Sequence, residues 1–561
     1  MIRLLFLLLL VPGLLLQQAK AEPDAGTRAM LAANNILGHA RAEAAKGCAN
    51  PSDVLVGILC AGQLHVGLRT YYPEFSVRDQ QGQFHGYEPD IARSIAKFLG
   101  VAYDPVVVNP KNRIPMVADG HVDLVISTMG HSVQRAGEVH FIRPHYYISQ
   151  TAIVGPNNSQ AAKWTDFEGR TVCLPLGSNS NLDFVRHHVR ILTFDRPEQL
   201  LDALRFNECR FIVQDDTFFA DLLANPGWSA QFGIRFRFAP LPWGMAVART
   251  GATQWASLLQ ELSMVFHARG VFLQIAEAHH LDLAFLREEQ KKWSSNACVT
   301  ADGAPIESCL LPPVDNRDAS DDSPIKPYAV WLQTRLTEWT GMQVNLSALM
   351  QQSTFSLLQE GIAYSLALII GTQFSTVLFA LGLGYVTIFG PRPTRRAIGA
   401  ATGLAQVTPL PLVMFFVYVL AGGIAAYSGL VALVAAILAI GLYNGSNAAR
   451  AIDEAYSALL RGTASSARPA VAAGPPRFLQ AVSLANVQIV AFLINAAKGS
   501  PAAGMIGLPE FLNVVTDLSA NATDRIGVNL LLLIFYSGLV LIVIAVLGAL
   551  RVRLVASGGL R

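Results

Sequence analysis

The chain has 561 residues, too many for one ordinary hydrophobic core. Hydrophobic residues make up 52%, charged residues only 15%, and the net charge of +2 leaves no basic stripe for nucleic acid. Most of the charge precedes residue 340 and most long apolar runs follow residue 360, so the two halves are built for different solvents.

Met1-Ile2-Arg3, the apolar run Leu4 to Leu16 and the small-x-small Ala19-Lys20-Ala21 predict an export leader, residues 1–21. Residues 22–60 are Ala-rich and predict a helical extension. From Leu64 the pattern alternates. Leu64 to Leu68, Val106 to Val108, Val122 to Ile126, Thr171 to Leu174 and Phe211 to Gln214 predict strands. Pro89 to Leu99 and Trp255 to His267 predict amphipathic helices. This is the rhythm of an α/β domain.

All six cysteines, Cys48, Cys60, Cys173, Cys209, Cys298 and Cys309, precede residue 310. An even count confined to an exported part predicts disulfides. The spacings suggest local pairs, 48 with 60, 173 with 209 and 298 with 309, although spacing leaves other connectivities open. No His/Cys cluster has zinc spacing, so no metal is expected.

Pro, Asp and Ser clusters predict a linker over 288–355. Within it, Trp331 to Trp339 fits either a helix on the membrane surface or one packed on the preceding domain. Five membrane spans are expected, at about 361–389, 399–421, 427–444, 481–498 and 526–550. Arginines follow the first span (Arg392, Arg395, Arg396), the third (Arg450, Arg461, Arg468, Arg477) and the fifth (Arg551, Arg553, Arg561). By the positive-inside rule those segments are cytoplasmic, which puts the start of the first span outside, where the leader sends the α/β domain.

Residues 64–285 resemble the periplasmic receptors for polar amino acids. The matching stretches are Val66 to Phe75, Gly86 to Ala92, Gly120 to Ser127, Gln134-Arg135, Leu176 to Ser178, Gln214-Asp215 and Gly244 to Val247. The resemblance implies a two-lobed fold over 61–287, with lobe 1 as 61–155 plus 249–287 and lobe 2 as 156–248. It implies that Arg135 forks onto a ligand α-carboxylate, Asp215 takes the α-ammonium and Tyr72 covers the ligand. Thr128, Ser178 and Asn179 are its expected polar contacts. A zwitterion in a dry cleft needs both charges paired, which is the physical sense of that set. Arg69 and Arg113 occupy places where arginines accompany acidic ligands in this family. One departure is Gly130, where the family usually has Ser or Thr. No nucleophile, base and oxyanion set is present, so no catalysis is expected.

Residues 356–553 resemble the polar amino-acid ABC permeases of the His/Glu/Gln type, on Thr408 to Val419, Leu442 to Ala449 and Ala497 to Leu512. The fold class expected is therefore multidomain: an α/β two-lobed periplasmic binding protein fold, then an all-α five-span permease bundle in a bacterial inner membrane. Partners implied are an amino-acid ligand, membrane lipid, a second permease copy as a homodimer and a separate cytoplasmic ABC ATPase. The chain has no P-loop and needs no cofactor. The ATPase would dock near Ser465, Ser466, Ala467 and Arg468. There the family's glutamate is missing and Pro469, Pro475 and Pro476 interrupt the helix. That departure favours an alternative, a ligand-sensing or gating receptor not coupled to an ATPase.

Overall fold

Extended, β-branched runs separated by amphipathic helices produce two mixed five-stranded sheets in the first half of the chain. The computed structural model describes residues 23–178, 180–194, 197–315, 322–341, 346, 349–422, 428–464, 475–521 and 525–556. The leader (1–21), Asn179 and the expected ATPase-docking residues Ser465, Ser466, Ala467 and Arg468 lie outside the described residues.

The first sheet has the strand order Ala102–Val108, Gln63–Arg69, Leu124–Val125, Ala246–Ala248, Val139–Phe141. Its first three strands run parallel, and Ala246–Ala248 is antiparallel to its neighbours. The second sheet has the order Arg190–Phe194, Thr171–Pro175, Ile212–Asp215, Tyr147–Pro156, Phe232–Trp243. Tyr147–Pro156 leaves the first lobe and Phe232–Trp243 returns to it, and the two pair antiparallel from Tyr147 opposite Trp243 to Phe232 opposite Pro156. That two-stranded ribbon carries both connections between the lobes. It moves the lobe boundaries from the expected 155 and 248 to about 146 and 245, because the crossing strands hydrogen-bond with the second sheet along most of their length.

The helix Ala25–Ala44 packs on Thr253–Ala268 through Ala25, Ala29, Ala33, Leu37 and Ala40, a stripe at helical spacing. Alanines let the two backbones come close; a Cβ on Gly26 would stand 2.6 Å from that of Ala268. Asp24 caps this helix by accepting from Thr27 N at 2.7 Å. The disulfides are Cys48–Cys60, Cys173–Cys209 and Cys298–Cys309, the three local pairs.

The expected linker is partly folded against the first lobe. Val314 N donates to His131 O, Val133 N donates to Val314 O, and Arg143 reaches Glu307 with both guanidinium nitrogens at 2.6 and 3.1 Å. The helix Lys326–Thr340 leaves two of its aromatic residues exposed, Trp331 at 61% and Trp339 at 86%, so it is not packed on the two lobes through them.

Among the described residues four helices are long and apolar enough to cross a membrane: Gln352–Phe389, Gly429–Arg461, Asn486–Ile506 and Asn529–Leu550. The expected second span is not one helix. Arg392–Val407 and Leu410–Gly422 are separated at Thr408, whose backbone is extended (φ −82°, ψ 130°), because Pro409 lacks an N–H and crowds a helical residue before it. Only the short Leu410–Ala421 is apolar there. Gln352–Phe389 packs on Gly429–Ala464 at small residues: a Cβ at Gly441 would fall 2.0 Å from Ser375 Oγ, and one at Gly371 2.4 Å from Ile437 Cδ1.

The second lobe rests on this helical part. Leu182, Val185 and Ile191 pack with Leu357, Phe511, Val514 and Leu518. Gly177 N and Asn181 Nδ2 donate to Asp517 Oδ1 at 2.6 and 2.7 Å.

Candidate ligand cleft

Strand ends deliver the polar residues to the gap between the lobes. Arg69 ends the strand Gln63–Arg69 and is buried. Its Nη1 donates to Thr128 Oγ1 at 2.6 Å, and its guanidinium lies 4.9 Å above the centre of the Tyr72 ring. Thr128 is in the left-handed region at φ 44°, a costly place for a β-branched residue. Its N–H is held there by Glu88 Oε1, which also accepts from Tyr146 Oη. Arg113, at the start of the helix Arg113–Ala118, donates from Nη1 to Ser127 O at 2.6 Å.

Arg135 sits on the short helix Val133–Ala136, which Ser132 caps. Its Nη1 donates to Gly130 O and its Nη2 to Gly177 O, both at 3.1 Å, so it reaches from the first lobe to the second. Asp215 ends the strand Ile212–Asp215 in the second lobe and accepts from Tyr72 Oη at 3.2 Å. Arg69, Arg113, Thr128, Arg135, Ser178 and Asp215 all line one cavity, which leaves room for the centre of a water molecule over about 30 Å³. Tyr72, expected to cover the ligand, is not among the lining residues; it touches the site through Arg69 and Asp215.

Gly130 explains its own departure from the family pattern. A Cβ there would lie 2.2 Å from Leu241 Cδ2, and Leu241 lines the cavity in place of a hydroxyl. Gly130 contributes its carbonyl to Arg135 instead.

The electrostatics are those of buried charge. Burial raises the Asp215 carboxyl to about 6, with Asp216 adding repulsion and Arg69 opposing. Burial raises Glu88 to about 7 against the pull of Tyr146, Thr128, Arg69 and Arg113. Burial lowers Arg135 to about 10. It also holds Arg113 well below the usual guanidinium range, with Arg135 and Arg69 adding repulsion, although a guanidinium keeps its proton at neutral pH. Among the described residues neither Arg69 nor Arg113 forms an ion pair, and Arg69 Nη2 and Arg113 Nε have no hydrogen-bond partner. The nearby carboxylate Asp90 binds Arg93 and His279.

Sequence reasoning missed Glu88, although it lies within the Gly86 to Ala92 stretch, and it missed Gln214, Thr151 and Leu241 as lining residues. It did not link Asp517 to the cleft.

The family model of the bacterial extracellular solute-binding proteins, family 3, matches residues 64–294. A glutamine-binding protein of Geobacillus stearothermophilus is 27% identical over 161 residues, 28% of this chain and 62% of that protein. The L-cystine-binding protein TcyJ of Escherichia coli (strain K12) is 27% identical over 166 residues, 29% of this chain and 62% of that protein. The chain thus spans less than two thirds of the length of these curated relatives. Among solved structures, a mutant of ArgBP from T. maritima matches with a TM-score of 0.38 and 22% identity, over 40% of this chain and 99% of that one. Residues 64–294 are thus similar to the family 3 extracellular solute-binding proteins, and among the described residues a helical region with four apolar candidate spans follows in the same chain.

Proposed function

We propose that this chain is a receptor–permease fusion that captures a polar amino acid outside a bacterial inner membrane and passes it to a pore in its own membrane part. The carrying observation is the convergence of Arg135 and Asp215, from different lobes, on one buried cavity. A guanidinium suits a carboxylate, and an ionised aspartate suits an ammonium. The relatives named for glutamine and L-cystine support an amino acid as the ligand. Leu410–Ala421 serves as the fifth span, entering from the break at Pro409. Two copies form the pore, and a separate ABC ATPase supplies the energy. Holding the receptor on the same chain keeps its local concentration near the mM range expected of linked modules.

The preferred side chain is acidic. Three buried guanidiniums, those of Arg69, Arg113 and Arg135, surround the cavity, and Arg113 is destabilised by the other two. A ligand bringing a second carboxylate relieves that repulsion, and a neutral one leaves it in place.

The second reading is an uncoupled sensing receptor, favoured by Pro469, Pro475 and Pro476 at the expected ATPase contact. Co-purification followed by reconstitution into vesicles separates the two. ATP-dependent accumulation of labelled amino acid with a bound ATPase supports import; amino-acid binding with no ATPase bound and no accumulation overturns it.

A further inference from the structure

Gly177 is held from two sides. On the cleft side its carbonyl accepts from Arg135 Nη2 at 3.1 Å. On the other side its N–H donates to Asp517 Oδ1 at 2.6 Å, and the same oxygen accepts from Asn181 Nδ2 at 2.7 Å. Arg135 belongs to the first lobe, Gly177 to the second, and Asp517 to the helix Phe511–Asn521 that follows the third long apolar helix. One turn earlier, Asn513 Nδ2 donates to Thr193 Oγ1 at 3.2 Å. Gly507, at φ +76°, lies against Leu192, where a Cβ would stand 3.1 Å from Leu192 Cδ1.

Asp517 is 5% exposed. A buried carboxylate is tolerated only when its lone pairs are used, and both of these donors come from the receptor lobe. Gly177, Ser178, Ser180 and Asn181 therefore lie between two spaces. One is the ligand cavity, lined by Gly177, Ser178 and Ser180; the other lies between lobe and membrane part, lined by Thr193, Glu360, Asn513 and Asp517. A ligand carboxylate that takes Arg135 Nη2 competes with the Gly177 carbonyl for that donor. Its arrival changes the hold on the turn from the cleft side while Asp517 keeps the other.

We propose that Asp517 is a positioning residue that seats the Gly177 turn on the membrane part and so couples occupancy of the cleft to docking of the second lobe. The coupling rests on the receptor reading above, whereas the seating does not. Coupling of this kind is reciprocal: whatever ligand does to docking, docking does to ligand affinity. The partner surface is thus within the same chain, and its key is a carboxylate reading two N–H groups.

The test uses the full chain in lipid nanodiscs. All six native cysteines are disulfide-bonded, so single added cysteines take spin labels selectively. Labels at Lys163→Cys on the second lobe and Arg396→Cys on the membrane part report docking as a distance distribution. The distribution is expected to be narrow in the parent and in Asp517→Asn, whose amide oxygen still accepts both N–H groups, and broad in Asp517→Leu. In parallel, affinity for L-glutamate is expected to fall about tenfold in Asp517→Leu and to be retained in Asp517→Asn. An unchanged distribution in Asp517→Leu overturns the seating. A broadened distribution with unchanged L-glutamate affinity overturns the coupling while leaving the receptor reading intact. If none of the twenty amino acids binds the parent chain, the receptor reading fails and the coupling with it, and the distances still decide the seating.

Discussion

Tyr72 on the first lobe and Asp215 on the second meet across the cleft, hydroxyl to carboxylate, at 3.2 Å. Tyr72 Oη also lies 2.9 Å from Thr217 Oγ1. Tyr72 thus orients the Asp215 carboxylate from the opposite lobe with one hydroxyl donor.

Removing either half of the charge clamp leaves a buried ligand charge unpaired. Arg135→Ala and Asp215→Ala are each expected to weaken amino-acid binding by about 2–5 kcal/mol. Calorimetry on the full chain in detergent measures this. Affinity within threefold of the parent for both variants removes these residues from the site.

Specificity is decided by a thermal-shift screen of the twenty amino acids. Glutamate or aspartate is expected to give the largest stabilisation. Arg69→Met or Arg113→Met is expected to cut its affinity roughly tenfold, about 1.4 kcal/mol. A larger shift with glutamine, histidine or lysine refutes an acidic preference.

Acid is expected to weaken binding. Asp215 titrates near 6 in the folded chain, raised from 3.8 by burial, and only its ionised form pairs with an ammonium. Affinity is therefore complete above about pH 7 and falls towards tenfold per pH unit below 6. Asp216→Asn keeps the acceptor for Ser149 Oγ and Gln150 N but removes the adjacent negative charge, so it is expected to move the midpoint down. Glu88 titrates nearby at about 7, and the shift in Asp216→Asn separates its contribution from that of Asp215. A midpoint that does not move in that variant counts against Asp215 as the titrating group.

Gly130→Ala is expected to destabilise the receptor by about 1–3 kcal/mol, because its Cβ would overlap Leu241. Adding Leu241→Ala is expected to recover part of that loss. Chemical denaturation of the four proteins of the cycle gives the coupling directly, and strict additivity shows the contact to be irrelevant.

Sidedness follows from the arginines. A cysteine at Lys163 is expected to react with an impermeant thiol reagent on intact cells after outer-membrane permeabilisation, and one at Thr394 is not. The reverse pattern inverts the topology.

The cleft residues were legible because they sit in short local motifs, at a strand end for Asp215 after Gln214 and on short helices for Arg135 after Gln134 and Arg113 before Ile114-Pro115. The disulfide pairs were legible for the same reason, being close in sequence. Glu88 was not, because its meaning comes from Thr128 and Tyr146, 40 and 58 residues away. Asp517 was further out of reach: its donors lie 340 and 336 residues earlier. The break at Thr408 was written in Pro409, but the strongly apolar run after it, Leu410–Ala421, outweighed it in a reading by hydropathy.

Each disulfide closes a loop within one rigid unit: Cys48–Cys60 in the N-terminal extension, Cys173–Cys209 in the second lobe, Cys298–Cys309 in the segment laid on the first lobe. None of them spans the ribbon that joins the lobes. Oxidation therefore hardens the parts and leaves their relative movement free. Oxidising conditions prolong the life of the two-lobed domain without locking it, and a reductant shortens that life without jamming it.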